Sequence, residues 1–331
     1  MWYVSFQGEI GAVVANILVY HNNGKPHTQP NLLPTGSGDP KLEELRGFAV
    51  AGDLLYVISA HKTVSEILVY QGSKKNGYTF KSTLASRDTV NSIFHPFDLT
   101  FDGAGHCYVS SQDSNVVTAL SASGKALPVA SYLQQQYPAP NVFLAGTFVA
   151  SATGNLPGVP QPPPPDVAAP QGLEVSYTDP PTNSRVANSV RGVVFYNSFL
   201  YVADEVGNAV KVYDGHTGEL YGQILGENLK APVHLLLNKG VLYIGSTGND
   251  SVVSYDLSKG APSGTVAPAT FIDGKVNHVA GLAFDADGYF YAAERKAKKI
   301  EKFKPNGKRA GDFIINLPDE PEFIFYVPKG K

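Results

Sequence analysis

Cysteine is nearly absent. Cys107 stands alone in 331 residues, which excludes an internal disulfide and a thiolate metal cluster, and its strand-like neighbours place it as a buried, inert thiol. Charge is also sparse, at 17% of residues against the roughly 25% of an average globular domain. Neither sign dominates: 26 basic and 29 acidic residues leave a net charge of −3, which argues against nucleic acid and anionic lipid as partners. No run approaches about 18 apolar residues, so a membrane span is not expected. The chain opens on Met1-Trp2-Tyr3-Val4, which reads as strand and not as a leader. The expectation is a soluble protein, either cytoplasmic or secreted with a leader removed. Serine-hydrolase elbows, phosphate loops and His-Glu-x-x-His are missing as well, so those chemistries find no motif.

What is abundant is glycine (33) and proline (24), together with 18 Tyr and 17 Phe, a composition for many turns around an aromatic core. The aromatics are periodic. A short strand carrying a central tyrosine recurs as Trp2-Tyr3-Val4, Leu55-Tyr56-Val57, Cys107-Tyr108-Val109, Leu200-Tyr201-Val202, Leu242-Tyr243-Ile244 and Phe290-Tyr291-Ala292. A following strand ends at Tyr20, Tyr70, Leu120, Tyr213, Tyr255 and Phe303, at offsets of 17, 14, 12, 12, 12 and 12 from those tyrosines. Glycine turns follow most of them, as at Asn23-Gly24, Ser123-Gly124 and Asn306-Gly307, as tight antiparallel connections require.

Another apolar strand precedes each central tyrosine: 45–50, 96–101, 190–195, 232–237 and 279–284. The sixth, 320–325, lies at the end of the chain with no tyrosine strand after it, while the N-terminus begins with the missing partner. The predicted fold is therefore all-β: a six-bladed β-propeller of four-stranded antiparallel blades, closed by pairing the N-terminal strands with the C-terminal strand. Residues 1–331 form one propeller domain, at about 55 residues per blade. The interval from Tyr108 to Tyr201 is 93 residues against 42 to 53 elsewhere. It predicts an insertion over 128–189, with a short helix at 129–137, an outer strand at 142–150 and a proline-rich loop at 154–172, since proline cannot donate to a central ladder.

The unit Val190-Arg191-Gly192-Val193-Val194-Phe195, Leu200-Tyr201-Val202-Ala203-Asp204 and Asn208-Ala209-Val210-Lys211-Val212-Tyr213 resembles the NHL-repeat and SMP-30/gluconolactonase-like six-bladed propellers. The other blades depart from its Tyr-Val-Ala-Asp form, with Ser59, Ser111, Ser246 or Glu294 in place of Asp204. The resemblance implies the architecture. SMP-30-like enzymes hold a cation with Glu, Asn and Asp and amidating lyases with three histidines; this chain matches neither set.

The innermost strands of a propeller bring distant residues to one axis. Aligned at Gly47, they give Glu322, Gly47, Asp98, Gly192, His234 and Gly281, polar residues alternating with glycine. Asp98, His234 and Glu322 on alternate blades are thus candidate ligands for a divalent ion, Ca, Mg, Mn, Fe or Zn. A residue earlier, Arg46 and Arg191 are candidates to bind an anionic substrate group, or else structural partners of Asp98 and Glu322. His95, His278 and Glu320 fall near one mouth, the histidines as candidate catalytic bases and Glu320 as a substrate contact. Rim loops add His61, Gln112, Asp113, Asp204, Glu205, Asn249, Asp250, Glu294 and Arg295. The functional expectation is a monomeric, metal-dependent hydrolase or lyase acting on a small polar or anionic substrate at the channel mouth. The alternative is a non-catalytic propeller that holds a protein or glycan through its rim loops and proline-rich insertion.

Overall fold

Strand pairing follows the aromatic repeat. In each blade the residue before the repeat tyrosine lies opposite the apolar residue of the following strand: Trp2 opposite Tyr20, Leu55 opposite Tyr70, Cys107 opposite Leu120, Leu200 opposite Tyr213, Leu242 opposite Tyr255 and Phe290 opposite Phe303. The computed structural model describes residues 1–8, 14–61, 63–73, 76–90, 92–127, 144–145 and 189–328. Among these, the strands form six sheets arranged as a six-bladed propeller. No helix among them is long and apolar enough to cross a membrane.

Blade 1 joins the two ends of the chain, with Pro321–Tyr326 innermost and antiparallel to Trp2–Phe6, so that Tyr3 faces Phe325 and Val4 faces Ile324. The innermost strands of blades 2 to 6 are Leu45–Ala51, Pro96–Phe101, Val190–Tyr196, Pro232–Asn238 and Val279–Phe284. Five blades are four-stranded. Blade 4 has a fifth strand that the sequence did not announce, Gly264–Val266, which pairs in parallel with Leu220–Leu225. Gln223 Nε2 donates to Thr265 Oγ1 across that edge at 2.9 Å. The outer strand of blade 3 comes from the predicted insertion, as the two-residue pairing of Leu144–Ala145 with Val117 and Val116. The expected helix at 129–137 and the proline-rich loop at 154–172 lie outside the described residues.

The core is divided among the blade interfaces. Six apolar clusters of described residues each join one blade to the next around the ring. The cluster that joins blade 6 to blade 1 centres on Trp2, 1% exposed, with Tyr291 at 4.2 Å between ring centroids, Tyr326 at 5.0 Å and Phe313 at 5.3 Å. Such aromatic packing removes a large apolar area from water and fixes the angle between neighbouring sheets. Among the described residues, closing the ring gives every blade an apolar cluster on both sides.

Every innermost strand carries a β-bulge in the same place, just after its first residue. Bulges of this kind twist a strand and re-aim its side chains. Here the residues just after the first positions in blades 2 to 5, Arg46, Phe97, Arg191 and Val233, line one cavity.

Candidate functional site

The bulges set two levels of side chains. Counting from the first paired residue of each innermost strand, the second residues are Glu322, Arg46, Phe97, Arg191, Val233 and Ala280, and the third are Phe323, Gly47, Asp98, Gly192, His234 and Gly281. The C-terminal strand thus sits one residue away from the alignment expected from sequence: Phe323, not Glu322, is the equivalent of Asp98 and His234. Two further contacts fix this register. The amides of Phe323 and Asp98 are both received by a second-strand serine, Ser5 at 3.2 Å and Ser110 at 3.1 Å. The glycines also match: a Cβ on Gly47 would meet the Asp98 Cα at 3.0 Å, one on Gly192 the His234 Cα at 3.4 Å, and one on Gly281 the Phe323 Cα at 2.8 Å. Glycine alternates around this level because adjacent innermost strands approach too closely for a side chain on both.

His234 and Phe323 of the third-residue level pack against Phe97 of the second. His234 lies 4.7 Å from Phe323 and 5.3 Å from Phe97 between ring centroids, and Phe97 lies 5.5 Å from Phe323. Beside this aromatic cluster is a cavity of about 200 Å³. Its wall draws on the second-residue level at Arg46, Phe97, Arg191 and Val233, with Val279 and His278 beside them. His234 of the third-residue level also lines it, and the rest comes from the residue that follows the second strand in five blades: Gln7, Gln112, Glu205, Thr247 and Arg295. In all six blades that residue's amide donates back to the residue just before the innermost strand, as Gln7 to Glu320 (3.0 Å), Ala60 to Glu44 (3.2 Å), Gln112 to His95 (3.1 Å), Glu205 to Ser189 (2.9 Å), Thr247 to Ala231 (3.2 Å) and Arg295 to His278 (3.3 Å). One repeated backbone bond thereby holds the whole mouth. Gln112, Glu205 and Arg295 were among the expected rim residues. Gln7 and Thr247 were missed, although their position directly after each tyrosine strand would have found them.

Loops of one blade also fix the mouth residues of the next. Asn208 and Asp250, both in the left-handed region that Asn and Asp tolerate, accept the amides of Ala231 at 2.8 Å and His278 at 2.7 Å. Ser65 Oγ receives the His95 amide at 2.9 Å.

The candidate metal ligands divide between these levels. Glu322 is fully buried, with Arg46 Nη1 at 3.0 Å, Arg295 Nε at 3.5 Å and His234 Nε2 at 3.4 Å. Burial opposes its charge, but Arg46, the His234 contact and Arg295 outweigh burial and hold the carboxyl well below its ordinary value. His234 is pushed the other way: burial outweighs its Glu322 partner, so the imidazole is kept neutral. Asp98 is committed elsewhere. Its Oδ1 accepts the Leu99 amide at 2.8 Å and its Oδ2 the Val193 amide of blade 4 at 3.0 Å. Burial raises its pKa to about 7, with those two amides opposing the rise. Among the described residues no three His, Cys, Asp or Glu side chains are grouped as ligands for a metal ion.

Three arginines come together instead. Arg46, Arg191 and Arg295 belong to blades 2, 4 and 6 and line the same cavity. Arg46 is 5% exposed, and Arg46 and Arg191 each lie 5.9 Å from the centre of the Phe97 ring, a cation–π arrangement that braces both guanidiniums. Arg191 Nη2 pairs with Glu205 at 2.7 Å, and Arg295 Nη2 with Glu320 at 3.4 Å. Glu320 therefore supports the site from behind Arg295 and does not line the cavity.

The two candidate histidines have different fates. His95 is 7% exposed and lies between Glu44 at 3.2 Å and Asp113 at 3.1 Å, outside the cavity wall. Burial disfavours its charge, yet the Asp113 and Glu44 contacts raise its pKa above the ordinary histidine value. His278 is half-buried and lines the cavity, where burial, Arg295 and Lys296 lower its pKa and keep the imidazole neutral.

No family model matches the chain, and no curated protein matches it. Likeness to solved structures is extensive at low identity. A chain of the nidogen/laminin complex superposes with a TM-score of 0.58 at 12% identity, over 98% of this chain and 96% of that one. Virginiamycin B lyase from Staphylococcus aureus, solved with quinupristin as a catalytically inactive variant, superposes with a TM-score of 0.50 at 13% identity, over 84% of this chain and 73% of that one. At such identities what is shared is the fold alone, on which both a lyase and a component of a protein complex are built.

Proposed function

We propose that the protein is an enzyme of the hydrolase or lyase class that acts on a small anionic substrate at the channel mouth. The observation that carries this is the convergence of Arg46, Arg191 and Arg295 on one cavity of about 200 Å³ with a neutral histidine, His278, in its wall. That volume is below the roughly 300–1,000 Å³ typical of drug-sized ligand sites, which suits a metabolite. The guanidiniums hold the substrate's negative charge and any charge that develops as it reacts. His278, uncharged, accepts the substrate's proton on an imidazole nitrogen. A divalent ion at the expected ligands would have to displace two arginines from Glu322 and two amides from Asp98, so an anion fits the groups present better than a cation. The fold itself is neutral between catalysis and binding, and the cavity chemistry favours catalysis.

Titration of the protein with short carboxylates and phosphate, followed by calorimetry or NMR, tests the site. Saturable binding at micromolar to millimolar concentration is expected, weakened at least about tenfold by Arg191→Gln. His278→Gln should retain binding and lose turnover. The acid limb of the pH profile should lie below the ordinary histidine value, because a base with a lowered pKa stays neutral to lower pH. Absence of any saturable anion binding, with and without added divalent cations, would overturn the proposal.

A further inference from the structure

We infer that the buried carboxylate of Glu322, with Glu205 at the rim, sets the charge of the ligand: the site selects a singly charged carboxylate over a dianion, an inference that rests on the anion site proposed above. Three guanidiniums alone would favour a dianion or a phosphate. Glu322 lies against two of them, with Arg46 at 3.0 Å and Arg295 at 3.5 Å, and Glu205 holds the third, Arg191, at 2.7 Å. Glu320 contacts Arg295 at 3.4 Å but is matched by Lys296 at 3.2 Å. Among the groups in direct contact with the three guanidiniums, with His234 and His278 neutral and Glu320 matched by Lys296, three arginines against Glu322 and Glu205 leave one net positive charge.

Placement gives the two acids different parts. Glu322 is enclosed beneath the arginines and holds guanidiniums of blades 2 and 6 in position, so its charge acts on the ligand through them. Glu205 has 31% of its side chain exposed and competes directly with an incoming carboxylate for Arg191. The apolar part of the wall, Phe97, Val233 and Val279, takes the short hydrocarbon remainder of the ligand. A planar carboxylate meets a guanidinium edge with two parallel hydrogen bonds, the geometry that makes arginine selective for such groups.

The test is a competition between propionate or butyrate and malonate or succinate, measured by calorimetry on the wild type, Glu322→Gln and Glu205→Gln. The wild type should prefer the monocarboxylates. Each substitution removes one negative charge and should move the preference toward the dicarboxylates by about tenfold or more, as expected for a unit charge at a few ångströms in a partly solvated site. If Glu322→Gln fails to fold because its arginines lose their partner, Glu205→Gln at the rim decides the matter alone. A wild type that prefers dicarboxylates, or a ratio unmoved in the folded variants, overturns the inference and leaves the anion site standing. Binding of none of the four overturns the anion site itself.

Discussion

Asp98 shows how far a buried side chain departs from what its identity implies. It is 8% exposed, has no cationic partner among the described residues, and is held by two backbone amides, so burial dominates and its pKa rises to about 7. The folded protein therefore keeps a proton on Asp98 that the unfolded chain releases near pH 4. Asp98 thus contributes stability that is fully present below about pH 4 and is lost as pH rises toward 7. Asp98→Asn cannot show this loss. Its cost relative to the wild type should be largest below about pH 4 and shrink by a few kcal/mol between pH 5 and pH 8, at about 1.4 kcal/mol for each tenfold difference in proton affinity between the folded and unfolded chains. Urea unfolding of both proteins at the two pH values checks this, and a difference that is constant or grows with pH contradicts it. Residue type and spacing singled out Asp98, His234 and Glu322. Arg46 was open as either an anion ligand or a structural partner of Asp98 and Glu322, and it pairs with Glu322; the other partners were not legible, because Arg295 reaches Glu322 from a second-strand terminus and the amide of Val193 reaches Asp98 from the next blade.

At the scale of the strand, the decisive features are the bulge and the glycine beside it. Alternation of glycine with larger residues is visible in the sequence, but its cause is steric. A Cβ on Gly192 would sit 2.6 Å from the Val233 carbonyl oxygen, against backbone that cannot swing away. Gly192→Ala is expected to cost about 1–3 kcal/mol through overpacking. Gly103, in a turn with ordinary backbone angles and nothing within 4 Å of its Cβ position, should accept alanine within about 0.5 kcal/mol. Denaturant midpoints of the two variants separate a packing cost from a general intolerance of substitution; equal effects would contradict the close approach of the innermost strands. The same bulges explain why sequence placed the C-terminal strand one residue out. Between Pro321 and Ile324 two residues oppose the single Ser5, so matching hydrophobic positions without the partner strand leaves the offset undetermined.

For the whole molecule, ring closure is the property most exposed to test. Pro321–Tyr326 supplies the innermost strand of blade 1, and its side chains contribute to the clusters on both sides of that blade. Removing residues 318–331 would uncover Trp2 and Tyr3, both essentially inaccessible in the closed ring, and leave the edge of Trp2–Phe6 unpaired. The shortened chain should show no cooperative thermal transition; a transition resembling that of the full chain would contradict closure by this strand.

Six blades, their closure by the two chain ends and the mouth at which polar side chains gather were all determined by sequence, because strand periodicity and turn glycines are local properties that repeat. The tyrosine strands and the strand ends they predict pair as expected in all six blades. Sequence put Arg46 and Arg191 at one level; tertiary structure alone decided that Arg295 shares their cavity, and that Glu322 is taken up by arginines, Asp98 by amides and His234 by Glu322. The reason is geometric. A side chain's partners in a ring come from other blades, far along the chain, as with Val193 and Asp98 or Arg46 and Glu322, and a single-residue bulge selects which of two adjacent side chains reaches the axis.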